Sequence, residues 1–483
     1  MRVGLVIYGS IETLTGGYLY DRRLLDHLVS RGDRTEVISL PRRNHYPRAL
    51  CDNASPSLVR RLTRARFDVL LQDELVHPSL VFLNGWLRAR ARYPIVTIVH
   101  LLRSSEQTAT RLRGWYAAAE RRYLATVDAA LYNSETTRMA VEALLGRSLP
   151  GVIAYPGGDH LAVERSETEL AAQARAIGPL RVLSVANVLP GKGLCVLIDA
   201  LGRLPAESWR LQVVGSLTMD RPYVDRLRGL IARAGLASRV CLVGTVPNAR
   251  IPEYLIRSHL LVVPSHYEAL GIAYLEAMRF GLPVIATTGG GAHEILEHGR
   301  EGFLVAPGDA DALTRHLRLF CADRELLLRM GLAARRRAAR HPTWDQSFER
   351  ARIFLRSLVE THRAKGSGVT MLPMADESSP SDVLFEVVTP LNFRVHVTRA
   401  HWQLITTVKH PVMATCESEV RETLRGPDEI RLSRSDPKVY LFYKQRRLGR
   451  WVCAVAKRLN GGGFLVTTYP TDGIKEGINL WPK

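Results

Sequence analysis

Two series of short, almost entirely apolar runs, each separated from the next by a helix-like segment, constrain the fold of this chain more than any other feature. Strands that are apolar on both faces belong in a sheet that helices cover on both sides. An alternation of β and α segments at this spacing predicts parallel, doubly wound sheets. The first series comprises Val3–Ile7, Thr35–Leu40, Val69–Gln72, Ile95–His100 and Ala130–Tyr132, and the second comprises Val182–Ala186, Leu211–Val214, Val240–Val243, Leu260–Pro264 and Val284–Ala286.

The two series predict an α/β fold with two Rossmann-like lobes. The break between them is the turn Pro156-Gly157-Gly158 and the polar, alanine-rich stretch Glu164–Pro179. We predict a first lobe over residues 1–165, a second lobe over 175–342, and a helix over 343–362 that returns to the first lobe. Ligands of such sheets bind beyond the carboxyl ends of the strands, so two facing lobes would form a cleft there.

The pattern changes in the last part of the chain. Residues 363–380 contain Gly-Ser-Gly and a polar, Ser-rich run, which predicts a flexible linker. Short β runs and two helix-like segments then predict a small basic α+β domain with an antiparallel sheet over residues 381–483. Because Met371 and Met374 lie within the linker, one hypothesis is that a separate small reading frame was fused here.

The formal net charge of +19 leaves two interpretations open. Arginine-rich solvated helices are one, and attraction to nucleotide-sugar phosphates, an anionic membrane or nucleic acid is the other. No apolar run approaches the ~20 residues of a membrane-spanning helix, and the start of the chain resembles a buried strand more than a secretory signal. We therefore expect a cytoplasmic protein, with peripheral contact to the inner membrane surface as an option. The six scattered cysteines lack CxxC spacing, which predicts free thiols and no metal site.

Two glutamates eight positions apart, Glu268 and Glu276, stand out in the stretch Val262–Leu296. They flank a Gly-containing turn that opens a helix, and a second turn, Gly289-Gly290-Gly291, follows the next β run. Carboxylates accept hydrogen bonds from sugar hydroxyls. Helix N-termini hold phosphate through free N–H groups and the positive end of the helix dipole. A sugar linked to a diphosphate requires this combination.

A lysine at the mouth of another helix completes the pattern. In the run Val185–Gly193 a strand ends, a Gly-rich turn follows, and Lys192 precedes the next helix. A lysine in that place supplies a point charge for phosphate.

Together these motifs resemble the donor site of family 4 glycosyltransferases, which have the GT-B fold and retain the anomeric configuration. The resemblance covers roughly residues 1–360. It implies that Glu268 binds donor-sugar hydroxyls, that Glu276 binds the ribose of the nucleotide, and that backbone N–H groups meet the diphosphate. The donor-binding candidates are Gly16, Gly17, Asn187, Gly271, Ile272, Glu276 and Gly290.

The resemblance also assigns residues of the first lobe. Gly16 and Gly17 match the glycine loop near the leaving phosphate, and His100 matches the active-site histidine. Arg103 and Glu106 are nearby helpers, and the loops Asn133-Ser134 and Gly157-Gly158-Asp159 match loops that line the interlobe cleft.

The implied reaction moves a sugar from a nucleotide-diphosphate sugar to an acceptor hydroxyl, with retention. His100, Lys192 and Glu268 are the catalytic candidates, and Lys192 and the helix N-termini would stabilise the departing diphosphate. We expect no metal and no cofactor, since family members need none and no DxD-type pair stands out as a set of metal ligands. The acceptor stays open and includes a lipid-linked sugar or a polysaccharide.

The chain departs from the family at Asn187, where most members carry an arginine that pairs with the diphosphate. Either another base such as Arg103 substitutes, or the donor site is weakened. A non-catalytic nucleotide-sugar-binding protein is therefore one alternative function.

The C-terminal domain needs a separate explanation. Nine Lys/Arg but one acid, Asp436, lie between Arg431 and Asn460, interleaved with aromatic residues. Such a surface could grip an RNA backbone and stack bases, or be a solvated sheet face. The element order resembles the barnase–EndoU–colicin–RelE-like nuclease group of phage and toxin systems, which makes RNA binding or cleavage the other alternative function. The candidate residues are His401, His410, Tyr443 and Thr468.

Overall fold

The computed structural model describes residues 1–41, 46–105, 113–162, 165–366, 383–406, 411–433, 438–447, 449–459, 462–474 and 478–481. The chain divides into two compact units, Met1–Gly366 and Ser367–Lys483. Among the described helices, none is both long enough and apolar enough to cross a bilayer.

The first lobe of the first unit is a six-stranded parallel sheet with the strand order β2-β1-β3-β4-β5-β6. Every residue of β3 and β4 is buried, as expected for apolar strands with helices on both faces. Its strands are Arg2–Tyr8 (β1), Arg34–Leu40 (β2), Val69–Asp73 (β3), Ile95–Val99 (β4), Ala129–Tyr132 (β5) and Gly151–Ile153 (β6). Its helices are Gly16–Ser30 (α1), Tyr46–Leu50 (α2), Pro56–Arg64 (α3), His77–Leu80 (α4), Leu83–Arg88 (α5), Arg113–Leu124 (α6) and Glu135–Leu145 (α7).

The second lobe has a second six-stranded parallel sheet, with the order β12-β11-β10-β7-β8-β9. Its strands are Leu180–Val185 (β7), Trp209–Val214 (β8), Val240–Gly244 (β9), Leu260–Val262 (β10), Val284–Thr287 (β11) and Gly302–Val305 (β12). Its helices are Glu167–Arg175 (α8), Leu194–Gly202 (α9), Arg221–Arg233 (α10), Ile251–Arg257 (α11), Ile272–Arg279 (α12), Ala292–Ile295 (α13), Ala310–Ala322 (α14) and Arg324–Arg340 (α15).

The two-lobed α/β fold predicted from the sequence is thus confirmed. The sequence patterns missed the last strand of each sheet, β6 and β12, which have three and four residues. Both begin at a glycine, which leaves only two or three apolar side chains in each, and pairing with the neighbouring strand defines them.

A long helix, Trp344–Gly366 (α16), closes the first unit by packing on the first lobe. Its buried residues recur at helical spacing and share a core with β1, β3 and α1; they are Trp344, Phe348, Ala351, Leu355 and Val359. The Phe348 ring lies 5.0 Å from the ring of Tyr20 on α1. The helix includes residues 363–366, which the composition had placed in the linker.

The described residues of the second unit form a seven-stranded sheet and two α-helices. The strand order is β13-β14-β18-β17-β16-β15-β19. All pairs are antiparallel except β14 with β18, so the sheet is mixed and not wholly antiparallel. Its elements are Val383–Val388 (β13), Arg394–Thr398 (β14), Arg399–Leu404 (α17), Glu417–Arg425 (α18), Glu429–Leu432 (β15), Val439–Arg447 (β16), Arg450–Leu459 (β17), Gly462–Thr471 (β18) and Ile478–Trp481 (β19).

Replacing Phe348 tests the docking of α16. Because the side chain is fully buried, we expect Phe348→Ala to lower the free energy of unfolding of the first unit by about 3–5 kcal/mol in a urea titration. Ile353→Ala on the same helix is the matched control, since that side chain is 42% exposed, and it should cost less than about 1 kcal/mol. Equal effects of the two substitutions would contradict this packing.

Candidate active site

A cavity of about 340 Å³ lies where residues of the two lobes meet. The carboxyl ends of β4, β7 and β8 and the start of α1 and of α12 border it, as expected for doubly wound sheets. Nine of the ten catalytic and donor-binding candidates of the two lobes line it: Gly16, Gly17, His100, Asn187, Lys192, Glu268, Gly271, Ile272 and Glu276.

Lys192 and Glu268 are in direct contact within this cavity. Lys192 Nζ donates to Glu268 Oε1, and Ser265 Oγ donates to the same oxygen at 2.9 Å. A Cβ on Gly193 would lie 2.0 Å from the Pro264 carbonyl oxygen, so only glycine lets the lysine turn approach the end of β10. One carboxylate oxygen of Glu268, Oε1, is thus engaged in an ion pair within the protein.

Gly290 does not line the cavity but supports Glu268 from behind. The Glu268 N–H donates to the Gly289 carbonyl at 2.9 Å, and the Gly291 N–H donates to the Glu268 carbonyl at 2.8 Å. With φ +105°, Gly290 leaves no room for a Cβ, which would lie 1.9 Å from the Glu268 carbonyl oxygen. The second glycine turn thus braces the backbone of Glu268, and donor binding by Gly290 stays a prediction.

Two helix N-termini open onto the cavity. Helix α1 begins at Gly16 with Thr15 as its N-cap, and α12 begins at Ile272 after Gly271, whose φ is +96°. Both glycine positions line the cavity. Free N–H groups at such ends, together with the helix dipole, favour an anionic group between them.

His160 is a site residue that the sequence patterns missed. Its Nε2 lies 2.9 Å from Glu276 Oε1, and its Nδ1 accepts a hydrogen bond from Trp344 Nε1 at 3.2 Å. His160 Nε2 is therefore close to the Glu276 carboxylate, although the two atoms are not aligned as a hydrogen bond. The residue follows the turn Gly157-Gly158-Asp159, but nothing in the sequence connects it to a glutamate so distant along the chain.

Of the other loops proposed to line the cleft, some residues border the cavity and others support neighbouring helices. Asn133 lines the cavity and its Nδ2 donates to the His100 carbonyl at 2.9 Å. Ser134 instead caps α7, where its Oγ accepts from the Thr137 N–H at 3.0 Å. Asp159 Oδ1 accepts from the Trp344 N–H at 3.0 Å, so this loop anchors the start of α16.

His100 forms an ion pair below the glycine loop of α1. Its Nε2 lies 3.0 Å from Asp21 Oδ1, and Asp21 is fully buried. Burial opposes the charged imidazolium, but Asp21, Asp73 and Glu74 outweigh burial and raise the pKa of His100 to about 9. Burial and the charge of Asp21 also raise the pKa of Asp73, to about 7. His100 is therefore a cation at neutral pH.

The position of Asn187 shows how the missing arginine is accommodated. Its Oδ1 accepts from the Ser216 N–H at 2.9 Å, so the amide oxygen is engaged within the second lobe. The neutral amide does not replace the positive charge of an arginine. Arg103, the proposed substitute, is not part of the cavity wall: its guanidinium lies over the Tyr116 ring at 4.9 Å. The first-lobe arginine that lines the cavity is Arg22, which donates to the carbonyl oxygens of Ile11 and Thr13. Glu106 lies outside the described residues.

Among the residues that the structure describes, two groups of carboxylates and histidines in the first lobe, all buried except the partly exposed His100, are close enough to hold a cation. One comprises Asp21, Asp73 and His100, and the other comprises Glu74, His77 and Glu120. In the first group the imidazolium of His100 already supplies positive charge. In the second, Glu120 Oε1 accepts from the Arg103 N–H at 2.6 Å. The absence of a metal requirement stays a prediction.

A carboxylate of the second lobe joins the lobes at one side of the cleft. Glu294 of α13 accepts from the N–H groups of Glu135 and Thr136 at 3.0 and 2.8 Å, at the N-terminus of α7. It also accepts from Thr136 Oγ1 at 2.5 Å and from the Tyr155 hydroxyl at 2.9 Å. We call these contacts the interlobe clasp.

Residues 166–337, the second lobe, match the family model described as Glycosyl transferases group 1. This stretch is a glycosyltransferase group 1 domain, and the chain is a glycosyltransferase. The chain is 29% identical over 371 residues to the D-inositol 3-phosphate glycosyltransferase of Nocardia farcinica, with 67% of this chain and 81% of the relative covered. It is also 29% identical over 184 residues to a GDP-mannose-dependent alpha-(1-6)-phosphatidylinositol monomannoside mannosyltransferase of Mycobacterium tuberculosis, which covers 36% of this chain. The chain spans about half the length of that mannosyltransferase, 47%.

Solved structures support the fold of the glycosyltransferase. Sucrose-phosphate synthase from Thermosynechococcus elongatus superposes with a TM-score of 0.65 at 19% identity, covering 74% of this chain and 99% of that one. HepE of Anabaena, solved in complex with UDP and glucose, superposes with a TM-score of 0.59 at 22% identity, covering 74% and 100%.

Of the four candidates of the second unit, the structure describes the side chains of two, Tyr443 and Thr468. Tyr443 and Thr468 are fully buried, and Thr468 Oγ1 donates to the Cys453 carbonyl at 3.0 Å, so both side chains belong to the core of the second unit. His401 lies in α17, and His410 lies outside the described residues.

Part of the basic charge on the sheet of the second unit is paired within the unit. Arg446 contacts Glu419, and Lys444 Nζ lies 3.3 Å from Glu422 Oε1, both acids of α18. RNA binding or cleavage by this unit stays a prediction from the sequence.

The His100–Asp21 pair predicts a pH dependence of stability. The pKa of His100 is raised above the ordinary value, so its contribution is complete below about pH 6.5 and is lost as the pH rises through about 9. Between these limits we expect the free energy of unfolding of the wild type to fall by an amount on the order of 3 kcal/mol. The His100→Gln variant should not show this fall. Urea unfolding at several pH values measures both profiles. His362→Gln on α16 is the control and should keep the wild-type profile. A His100→Gln profile parallel to that of the wild type would refute the ion pair.

The interlobe clasp predicts that the backbone amides at the start of α7 are protected from hydrogen exchange. Hydrogen bonds to a charged group are worth about 1.5–3 kcal/mol each. We expect Glu294→Ala to raise amide hydrogen exchange at Glu135 and Thr136 by at least about tenfold and to lower kcat/KM. Glu297→Ala is the matched control, because that exposed glutamate pairs with Arg300 of its own lobe. Unchanged exchange at the start of α7 would show that the clasp does not hold the lobes in solution.

Proposed function

We propose that this glycosyltransferase moves a sugar from a nucleotide-diphosphate sugar to an acceptor hydroxyl, with retention of configuration and without a metal. The observation that carries the proposal is the contact of Lys192 with Glu268 in a cavity onto which two helix N-termini open. The lysine and the two helix N-termini suit the diphosphate of the donor, and the carboxylate suits the hydroxyls of its sugar.

The diphosphate is the part of the donor that needs positive charge. Lys192, the N-termini of α1 and α12 and the imidazolium of His100 all border the same cavity. Negative charge grows on the diphosphate as the glycosidic bond breaks, so preorganised donors and cations there stabilise the transition state more than the ground state. These groups would supply the charge for which other enzymes use a metal.

The two glutamates would hold the two sugars of the donor. Glu268 is fixed by Lys192 and Ser265 through Oε1, which leaves Oε2 to accept from a hydroxyl of the transferred sugar. Glu276 lines the cavity with His160 Nε2 2.9 Å from its Oε1, and its carboxylate would accept from the ribose hydroxyls. Beyond them the wall is formed by Val214, Gly215 and Val246 at the ends of β8 and β9, where a flat base fits.

The acceptor would enter from the side of the first lobe. His100, Asn133 and the start of α1 form that wall, beside the place for the leaving diphosphate. An acceptor hydroxyl on this side attacks from the face that the diphosphate leaves, which accounts for retention. The acceptor proton passes to an oxygen of the departing diphosphate, so no side chain is required as a general base.

Substitution of the central pair tests this function. We expect Lys192→Ala and Glu268→Gln each to lower kcat at least about 100-fold, because each removes a group that acts on developing charge or on donor orientation. Turnover is measured with a panel of UDP-, GDP- and ADP-sugars and mass detection of products. Arg228→Ala on α10 is the control for loss of one exposed charge and should keep wild-type turnover.

The same assay separates the alternatives. Donor binding by the wild type without transfer or hydrolysis across the panel would favour the non-catalytic function raised by Asn187. Wild-type turnover by Glu268→Gln would reject the site. A large loss of activity in EDTA that Mn²⁺ or Mg²⁺ restores would reject metal independence while leaving the donor site intact.

A further inference from the structure

One face of the first lobe exposes aromatic rings among arginines. The exposed fractions of the side chains of Phe82, Trp86 and Trp115 are 52%, 37% and 73%. The Arg90 guanidinium lies 4.2 Å from the centre of the Trp86 ring, and that of Arg122 lies 5.0 Å from the Phe82 ring. We propose that these five residues, the aromatic face, bind the surface of an anionic lipid bilayer.

The five residues lie on two neighbouring helices, α5 and α6, and on the segments next to them. Phe82 precedes α5 and Trp86 lies one turn further along it, so both project from the same side. Trp115 and Arg122 are seven residues apart on α6, which places them on one side of that helix, two turns apart. The contact of Arg122 with Phe82 joins the two helices.

The surroundings of the face are basic. The exposed residues of segments 82–92 and 113–122 include Arg88, Arg90, Arg92, Arg113, Arg121 and Arg122. The one acid of these segments, Glu120, is buried and accepts from the backbone N–H groups of Arg103 and Ser104. Arg88 pairs with Asp128 at 3.3 Å, whereas Arg113 and Arg121 donate to the backbone carbonyls of Ser104 and Leu144. Positive charge therefore remains on this surface.

Lipid headgroups suit both components of the face. Arginines bind lipid phosphates, and each basic residue near an anionic surface strengthens binding about fivefold. Tryptophan and phenylalanine rings insert at the level of the headgroups, where one side is apolar and the other wet. Binding to a membrane surface grows with the buried apolar area and with the attraction to anionic lipids, and the face offers both. Exposed large aromatic rings clustered on one face are also uncommon in proteins without a surface partner.

The test is co-sedimentation of the full chain with vesicles, at about 150 mM salt so that remote charges are screened. Vesicles of phosphatidylcholine alone are compared with vesicles in which roughly one third is phosphatidylglycerol. We expect binding to the anionic vesicles only. Arg90→Gln with Arg122→Gln should weaken it about 10- to 30-fold, as should Phe82→Ser with Trp86→Ser and Trp115→Ser.

Arg226→Gln with Arg228→Gln on α10 is the matched control, because Arg226 also lies over an aromatic ring, that of Tyr223, and the charge change is the same. Retained vesicle binding in this control supports the face. Equal losses in the control and the face variants, or binding of RNA with no binding of anionic vesicles, would overturn the proposal. Donor turnover in solution should be unchanged in the face variants, so failure here is distinct from failure of the proposed transfer reaction.

Discussion

The contact between Lys192 and Glu268 depends on two loops pressed together beyond the carboxyl ends of β7 and β10, and the rest of the site depends on that contact. A side chain at Gly193 would collide with the Pro264 carbonyl, and one at Gly290 would collide with the Glu268 carbonyl. Glycine at both positions lets the backbones touch, so an ammonium and a carboxylate from different loops meet at one point. The pair neutralises two charges in a half-buried place and leaves each with spare capacity for a ligand.

A site of this kind requires both lobes, and two sets of contacts bring them together. The buried stripe of α16 attaches the end of the second lobe to the core of the first lobe. Glu294 then joins α13 to the N-terminus of α7, where a carboxylate is well placed against free N–H groups and the helix dipole. Glu294 belongs to α13, the helix that follows the glycine turn bracing Glu268. The same short segment therefore contacts the first lobe and positions a residue of the donor site.

The first lobe contributes charge in a different way. His100 is buried beside carboxylates that keep it protonated, so it adds a fixed cation next to the start of α1. Arg22 lines the same region, whereas Arg103, closer to His100 in sequence, turns away to Tyr116. The loss of an arginine at Asn187 therefore leaves a cavity that still contains three basic side chains, Arg22, His100 and Lys192.

The amino-acid sequence by itself determined the alternation of buried strands and helices, the glycine turns, and the local package of Glu268, Glu276 and Lys192. These features follow from hydrophobic pattern, backbone freedom and side-chain chemistry within short segments, so they can be recognised without coordinates. The tertiary structure alone decided that His160 meets Glu276, that Glu294 reaches α7, that Gly290 braces the site from outside the cavity, and that Tyr443 and Thr468 are core residues. Each of these depends on how distant segments pack, and no local pattern encodes which side chain a sheet or a neighbouring lobe will cover.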